Sequence, residues 1–199
     1  MNLALFGGSF DPPHSGHVGL MQAALENLDI DKLVVMVAYK NRLKADSRFD
    51  PKARFLWMKS IVTALDSKFP GRIICSDYEI RQGQPVPTID TIDYLIQSYK
   101  PSRIFCIIGS DNLASLHEWV GFERLASLVE FVVARRGDFE NLDSINACGV
   151  RLRRLEFDNP ISSSEIMQDL RANKAYLPPA VRDAIYEEYC RLKDSKCSN

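Results

Sequence analysis

Short apolar, β-branched runs alternate with stretches of helical periodicity along the whole chain. Leu3-Ala4-Leu5-Phe6 stops at Gly7-Gly8, Asp11-Pro12-Pro13 turns, and from near Ser15 apolar residues recur at helical spacing as Val18, Met21, Leu25 and Leu28. Residues 32–39 are nearly continuously apolar, as a strand buried on both faces must be. Asp50-Pro51 reads as an N-cap followed by proline at the first helical position, with Phe55, Met58, Val62 and Leu65 as the stripe and Pro70-Gly71 as the stop. A third strand is predicted over 72–79, and Thr88 is expected to cap a helix whose inner face is Ile89, Ile92, Ile96 and Tyr99. Strands at 103–108, 131–134 and 150–157 follow, with helical stretches through Trp119 and over 122–128. The serines of Ile161-Ser162-Ser163-Ser164-Glu165 suit the cap of a helix to about residue 171. Leu177-Pro178-Pro179 opens a last helix with Val181, Ile185, Tyr189 and Leu192 inward.

Strand alternating with helix implies right-handed crossovers and a parallel sheet covered on both faces. The expected fold is therefore α/β: a Rossmann-like, doubly wound, mostly parallel sheet with a small helical C-terminal portion. Residues 1–193 read as a single domain and 194–199 as a polar tail that frays. The segments 40–50 and 138–149 are polar, and the first is long enough for a βα connection to suggest a functional loop.

A net charge of −1 removes the basic footprint expected of a nucleic-acid or anionic-membrane binder. Arg151, Arg153 and Arg154 alternate with Val150, Leu152 and Leu155, the pattern of a solvated strand face. The five cysteines form no C-x-x-C pair, and Cys75 and Cys106 lie within apolar runs, so free thiols and a reducing cytoplasm are expected. No apolar run approaches the roughly 18 residues of a membrane span.

Motifs that are missing narrow the chemistry. After the first strand there is no G-x-G-x-x-G, and the chain carries no G-x-x-x-x-G-K-[ST] and no G-x-S-x-G. What remains is Gly7-Gly8 with His14-Ser15-Gly16-His17, and the serines at 162–164. Glycine-rich backbone, imidazole and hydroxyl donors at helix starts all suit anions. Two such groups at strand ends of one sheet suggest a polyphosphate, and in-line transfer at phosphorus needs the charge stabilisation they offer.

Phe10-Asp11-Pro12-Pro13-His14-Ser15-Gly16-His17 looks like the H-x-G-H motif of the nucleotidyltransferase superfamily. From Gly7-Gly8-Ser9-Phe10 through Gly109-Ser110-Asp111 and Trp119 to Ile161-Ser162-Ser163-Ser164-Glu165-Ile166, nearly the whole chain resembles the bacterial nicotinate-nucleotide adenylyltransferases. The resemblance implies that ATP and nicotinate mononucleotide give deamido-NAD and pyrophosphate, with Mg²⁺ carried on the triphosphate and no protein metal site. It implies catalytic roles for His14 and His17, the latter at the reacting α-phosphate. It assigns Gly7, Gly8, Ser9, Phe10, Gly16, Asp111, Arg135, Ile161, Ser162 and Ser163 to ATP, and Lys44, Thr88 and Trp119 to the acceptor.

The chain departs from the family pattern in three places. Met167 stands where an arginine usually follows the Ser-Ser-x-x-Ile helix start, Pro87 replaces a tyrosine before Thr88, and of the P-x-x-P-H-K loop only Lys44 keeps its place. Other readings stay open: another phosphate acceptor such as phosphopantetheine or nicotinamide mononucleotide, or a nucleotide-binding regulator without turnover. Asp11, His14 and His17 could instead ligate a metal, and Asp111 could be a simple cap. Trp119 could be a core residue, while Trp57 and His117 read as packing and surface. Oligomeric state is open, a homodimer being one option.

Overall fold

Successive strand residues point to opposite faces, so a run that is apolar throughout needs a core on each side. The computed structural model, which describes residues 1–40, 47–134, 150–157 and 161–197, meets that need with one six-stranded sheet. Its strands are β1 (Asn2–Gly8), β2 (Lys32–Val37), β3 (Ile73–Ser76), β4 (Arg103–Gly109), β5 (Glu130–Ala134) and β6 (Leu152–Leu155). They lie in the order β3-β2-β1-β4-β5-β6, and every neighbouring pair is parallel.

The helices are α1 (Ser15–Asn27), α2 (Pro51–Leu65), α3 (Tyr78–Arg81), α4 (Thr88–Tyr99), α5 (Phe122–Leu128), α6 (Ser163–Gln168) and α7 (Arg182–Cys197). Ala4, Phe6, Leu33 and Val35 face a core built with Met21 and Leu25 of α1, Met58 and Ile61 of α2, Ile166 of α6 and Ile185 of α7. The intervening residues Leu3, Leu5, Val34 and Met36 face a second core with Ile89, Ile92 and Leu95 of α4 and Leu125 of α5. This is the doubly wound arrangement expected, with α6 and α7 as the helical C-terminal portion. No helix among the described residues is long and apolar enough to cross a membrane.

The topology opens a crevice at the centre. The chain winds outward from β1 toward β3 on one side and toward β6 on the other, so the crossovers diverge above β1 and β4. Register sharpens this: β1 stays paired to β2 as far as Gly8↔Val37, but its pairing to β4 ends at Phe6↔Ile107. Gly7 and Gly8 therefore border the gap.

Several expected boundaries shift. The third strand stops at Ser76, because Tyr78–Arg81 turn into α3. Pro87 takes the N-cap of α4 and Thr88 is its first helical residue. The stretch before Trp119 forms 3₁₀ turns, Ser110–Asn112 and Leu116–Glu118, in place of a longer helix. α6 ends at Gln168, and α7 continues to Cys197, through the start of the stretch expected to fray. Asp50 caps α2 by accepting the N–H groups of Lys52 and Ala53, with Pro51 at the first position. The buried face of α2 is turned from the expected stripe, however, and holds Arg54, Trp57 and Ile61 as well as Met58, Val62 and Leu65. Most of the 40–50 loop and all of 138–149 lie outside the described residues.

Candidate active site

The loop leaving β1 is shaped by one close approach. Phe10 has a left-handed backbone (φ 48°), a conformation that costs a residue with a Cβ. Its ring turns back over Gly8, where an added Cβ would lie 2.9 Å from Phe10 Cζ. That ring, 1% exposed, meets Phe6 edge-on at 5.4 Å and His17 at 4.9 Å. Gly8 makes room for Phe10, and Phe10 supports the imidazole of His17.

Two buried charges hold the loop. The Asp11 carboxylate accepts the N–H groups of Arg48 (2.8 Å) and Phe49 (3.0 Å), tying the loop to the approach of α2. Arg54, wholly buried, donates to the carbonyls of Ser9 (2.5 Å), Ala38 (2.9 Å), Tyr39 (2.7 Å) and Phe49 (3.1 Å). Burial pulls its pKa down while Asp11 and Asp50 push it back up, and a guanidinium starts high enough to remain charged. One side chain thus ties together the loop after β1, the end of β2 and the start of α2. No motif marks Arg54 in the sequence, although its spacing to Met58, Ile61 and Leu65 puts it on the buried face.

His14 is the N-cap of α1 and is 1% exposed, whereas His17 is partly exposed in the first turn. The His14 backbone N–H donates to His17 Nδ1 at 3.1 Å, and the ring centroids are 3.7 Å apart. With Nδ1 acting as acceptor, the N–H of a neutral His17 ring is left on Nε2, a donor for an anion. Gly16 is buried in the same turn.

The serine cluster meets this loop. Ser163 Oγ donates to the Pro12 carbonyl at 2.9 Å. Ser162 caps α6: its Oγ accepts the Glu165 N–H at 3.2 Å, and the Glu165 carboxylate accepts the Ser162 N–H at 2.7 Å. Ile161 is buried in the core beside them. The departing residue Met167 packs partly buried against the same core.

On the other side of Gly7-Gly8-Ser9 lies a cleft of about 450 Å³, walled by β1 and β4 and by Ala38, Lys40, Glu79, Pro87, Thr88, Asn112, Glu118 and Trp119 among others. Trp119 is half-buried and packs on the second core while lining this cleft. Asp111 is exposed and folds back over Gly109, where a Cβ would overlap its Oδ1. Asn112 reaches the cleft in its place. Glu79, which the sequence analysis did not single out, lines the wall; burial pushes its carboxyl up to about 7 against the lowering effect of a hydrogen bond from Thr91. The predicted sites therefore fall into two groups joined by the loop 7–17: His14, His17, Ser162 and Ser163 on one side, Thr88 and Trp119 on the other. Lys44 and Arg135 lie outside the described residues. Trp57 is packing, edge-on to Phe49 at 5.0 Å, and the side chain of His117 is exposed.

The cytidylyltransferase-like family model matches residues 5–169. A probable nicotinate-nucleotide adenylyltransferase of Campylobacter jejuni is 42% identical over 193 residues, 97% of this chain and 99% of its own length. Its counterpart in Nitratiruptor sp. is 37% identical over 95% of this chain and 99% of that protein. In fold the chain is similar to the Plasmodium falciparum nicotinic acid mononucleotide adenylyltransferase solved with NaAD, at TM-score 0.73 and 22% identity, covering 94% of this chain and 95% of that one. With the family model spanning the sheet and both helix starts, and relatives aligned almost end to end, the chain belongs to the nicotinate-nucleotide adenylyltransferases of the cytidylyltransferase-like family.

Proposed function

We propose that the chain transfers the adenylyl group of ATP to nicotinate mononucleotide, releasing pyrophosphate and giving deamido-NAD for NAD biosynthesis. The observation that carries this reading is the Ser163–Pro12 hydrogen bond, which joins the serine helix start to the histidine loop that follows β1. The acceptor phosphate oxygen forms a bond to the α-phosphorus as the bridge to the β-phosphate breaks, and pyrophosphate leaves with that electron pair. A phosphomonoester with a second pKa of about 6 is already an oxyanion at neutral pH, so no general base is needed. His17 Nε2–H and His14 then act as donors to the phosphates in flight, and Ser162 and Ser163 hold the departing pair. Gly7, Gly8, Ser9, Phe10 and Gly16 shape the phosphate loop, Ile161 seats the serines beside it, and the family resemblance assigns Asp111 and Arg135 to the nucleotide. Thr88, Trp119 and Lys44 serve the acceptor, with Trp119 stacking on the pyridine.

Nucleotidyltransferases use a divalent ion with ATP, and Mg²⁺ carried on the triphosphate oxygens fits the donor set here. Mg²⁺ prefers oxygen ligands, and both oxygens of Asp11, the carboxylate beside the histidines, accept backbone N–H groups. This weighs against the rival Asp11, His14 and His17 metal site. A cytoplasmic setting is supported by Cys75, Cys106 and Cys190, all free, with burial pushing the Cys75 and Cys106 thiols up to about 12.

Met167 favours the regulator as second reading, since its packed side chain supplies no cation beside α6. Pyrophosphate release from ATP against a panel of acceptors tests both. Release with nicotinate mononucleotide well above that with nicotinamide mononucleotide or phosphopantetheine is expected. ATP binding without release under any acceptor overturns the enzyme.

A further inference from the structure

The acceptor cleft contains a carboxyl that the adenylyl transfer just described does not use. Glu79 lies in α3 and lines the same cleft as Thr88 and Trp119. Its Oε1 accepts a hydrogen bond from Thr91 Oγ1 at 2.7 Å. Thr91 is 1% exposed and sits three residues beyond Thr88, on the same side of α4. The carboxyl is thus anchored to the helix whose first residue borders the cleft.

The charged groups around it do not neutralise it. On its own helix Arg81 pairs with Asp77 at 3.0 Å. Asp90, in the first turn of α4, is exposed, and Tyr78 and Tyr94 stack on each other at 3.8 Å. Across the cleft Lys40 follows β2 and Glu118 precedes Trp119. Among the described residues none forms an ion pair with Glu79, and its position is dominated by burial, which places its titration at about 7.

We propose that Glu79 is a proton-linked specificity determinant on the acceptor side: neutral, it admits a pyridine bearing a carboxylate, and ionised, it repels that carboxylate while tolerating a carboxamide. This rests on the acceptor reading given under Proposed function. Two carboxylates facing one partly desolvated cleft cannot both ionise without cost. By reciprocity, an acid acceptor that binds more weakly to ionised Glu79 must drive proton uptake when it binds.

The test is the ratio of kcat/KM for nicotinate mononucleotide to that for nicotinamide mononucleotide between pH 6 and 8.5. Both acceptors carry the same phosphate, so its own titration cancels. The ratio is expected to fall about tenfold in the native chain, one pKa unit of coupling, and to stay flat in Glu79→Gln, which can still accept from Thr91. A flat native ratio, or an equal fall in E79Q, overturns the proposal. Should E79Q not fold, calorimetry on the native chain at pH 7.5 in two buffers of different ionisation enthalpy decides. The acid acceptor must take up more protons than the amide, and equal uptake overturns the assignment. Absence of transfer to either acceptor at every pH overturns the functional reading itself, a different result from transfer with a flat ratio.

Discussion

Ser163 and Pro12 are 151 positions apart in the chain, and the hydroxyl of one donates to the carbonyl of the other at 2.9 Å. The contact makes one region of the α1 and α6 starts, because Pro12 lies two residues before the His14 cap and Ser163 is the first residue of α6.

Ser163→Ala removes this donor and leaves a carbonyl in a partly buried place. The expected loss is about 1–2 kcal/mol of transition-state binding, a tenfold or so fall in kcat/KM for ATP. Steady-state kinetics check it, and unchanged kinetics would leave the contact merely structural.

His17→Ala tests electrostatic catalysis against binding. Loss of a donor aimed at developing charge is worth about 10²–10³ in kcat. ATP affinity, measured by calorimetry, should change by only a few fold. Equal affinity loss with turnover intact would remove His17 from the reaction.

Arg54→Met strands the four carbonyls that its guanidinium serves. We expect roughly 3–5 kcal/mol of destabilisation, read from the urea midpoint. Arg54→Lys should rescue little, since one ammonium cannot reproduce a planar fork with bonds to four acceptors.

Gly8→Ala places a methyl 2.9 Å from Phe10 Cζ, so the ring that supports His17 must move. The fold should survive, because Gly8 stands at the end of β1. The value of kcat should fall more than the thermal midpoint, and a double-mutant cycle with Phe10→Leu should show coupling between the two sites.

Glu79→Gln should stabilise the chain in alkali and not in acid. The folded carboxyl titrates at about 7, above the ordinary 4.5. Below that ordinary value both states hold the proton and nothing differs. As pH rises toward 7 the unfolded state releases its proton first, so native stability declines, and the cost is complete above 7. Thermal midpoints at pH 8 should favour the glutamine variant, by up to roughly 3 kcal/mol, and the curves should converge near pH 4.

Much of the fold was legible because its determinants are local. Nearly continuous apolar runs at 33–37 and 104–108 require two cores, and the cores found divide those residues alternately. The Asp50-Pro51 start and the Ser162–Glu165 capping box act within one turn, so their residues are enough to predict them. Local preference misled where tertiary contacts won. Tyr78 and Glu79 looked like the end of a strand, yet α3 forms, Tyr78 stacks on Tyr94, and Glu79 bonds to Thr91.

By itself, the sequence determined the alternation of strand and helix, the caps and the H-x-G-H loop, all of which depend on residues within a few positions of one another. Tertiary structure alone decided the strand order β3-β2-β1-β4-β5-β6, which opens a crevice beside Gly7 and Gly8, and the meeting of Ser163 with Pro12. It also decided which four carbonyls Arg54 binds and that Glu79 borders the cleft. The physical reason is reach: caps and periodicity act across one helical turn, whereas a buried charge takes its partners from whatever the packed sheet brings to it.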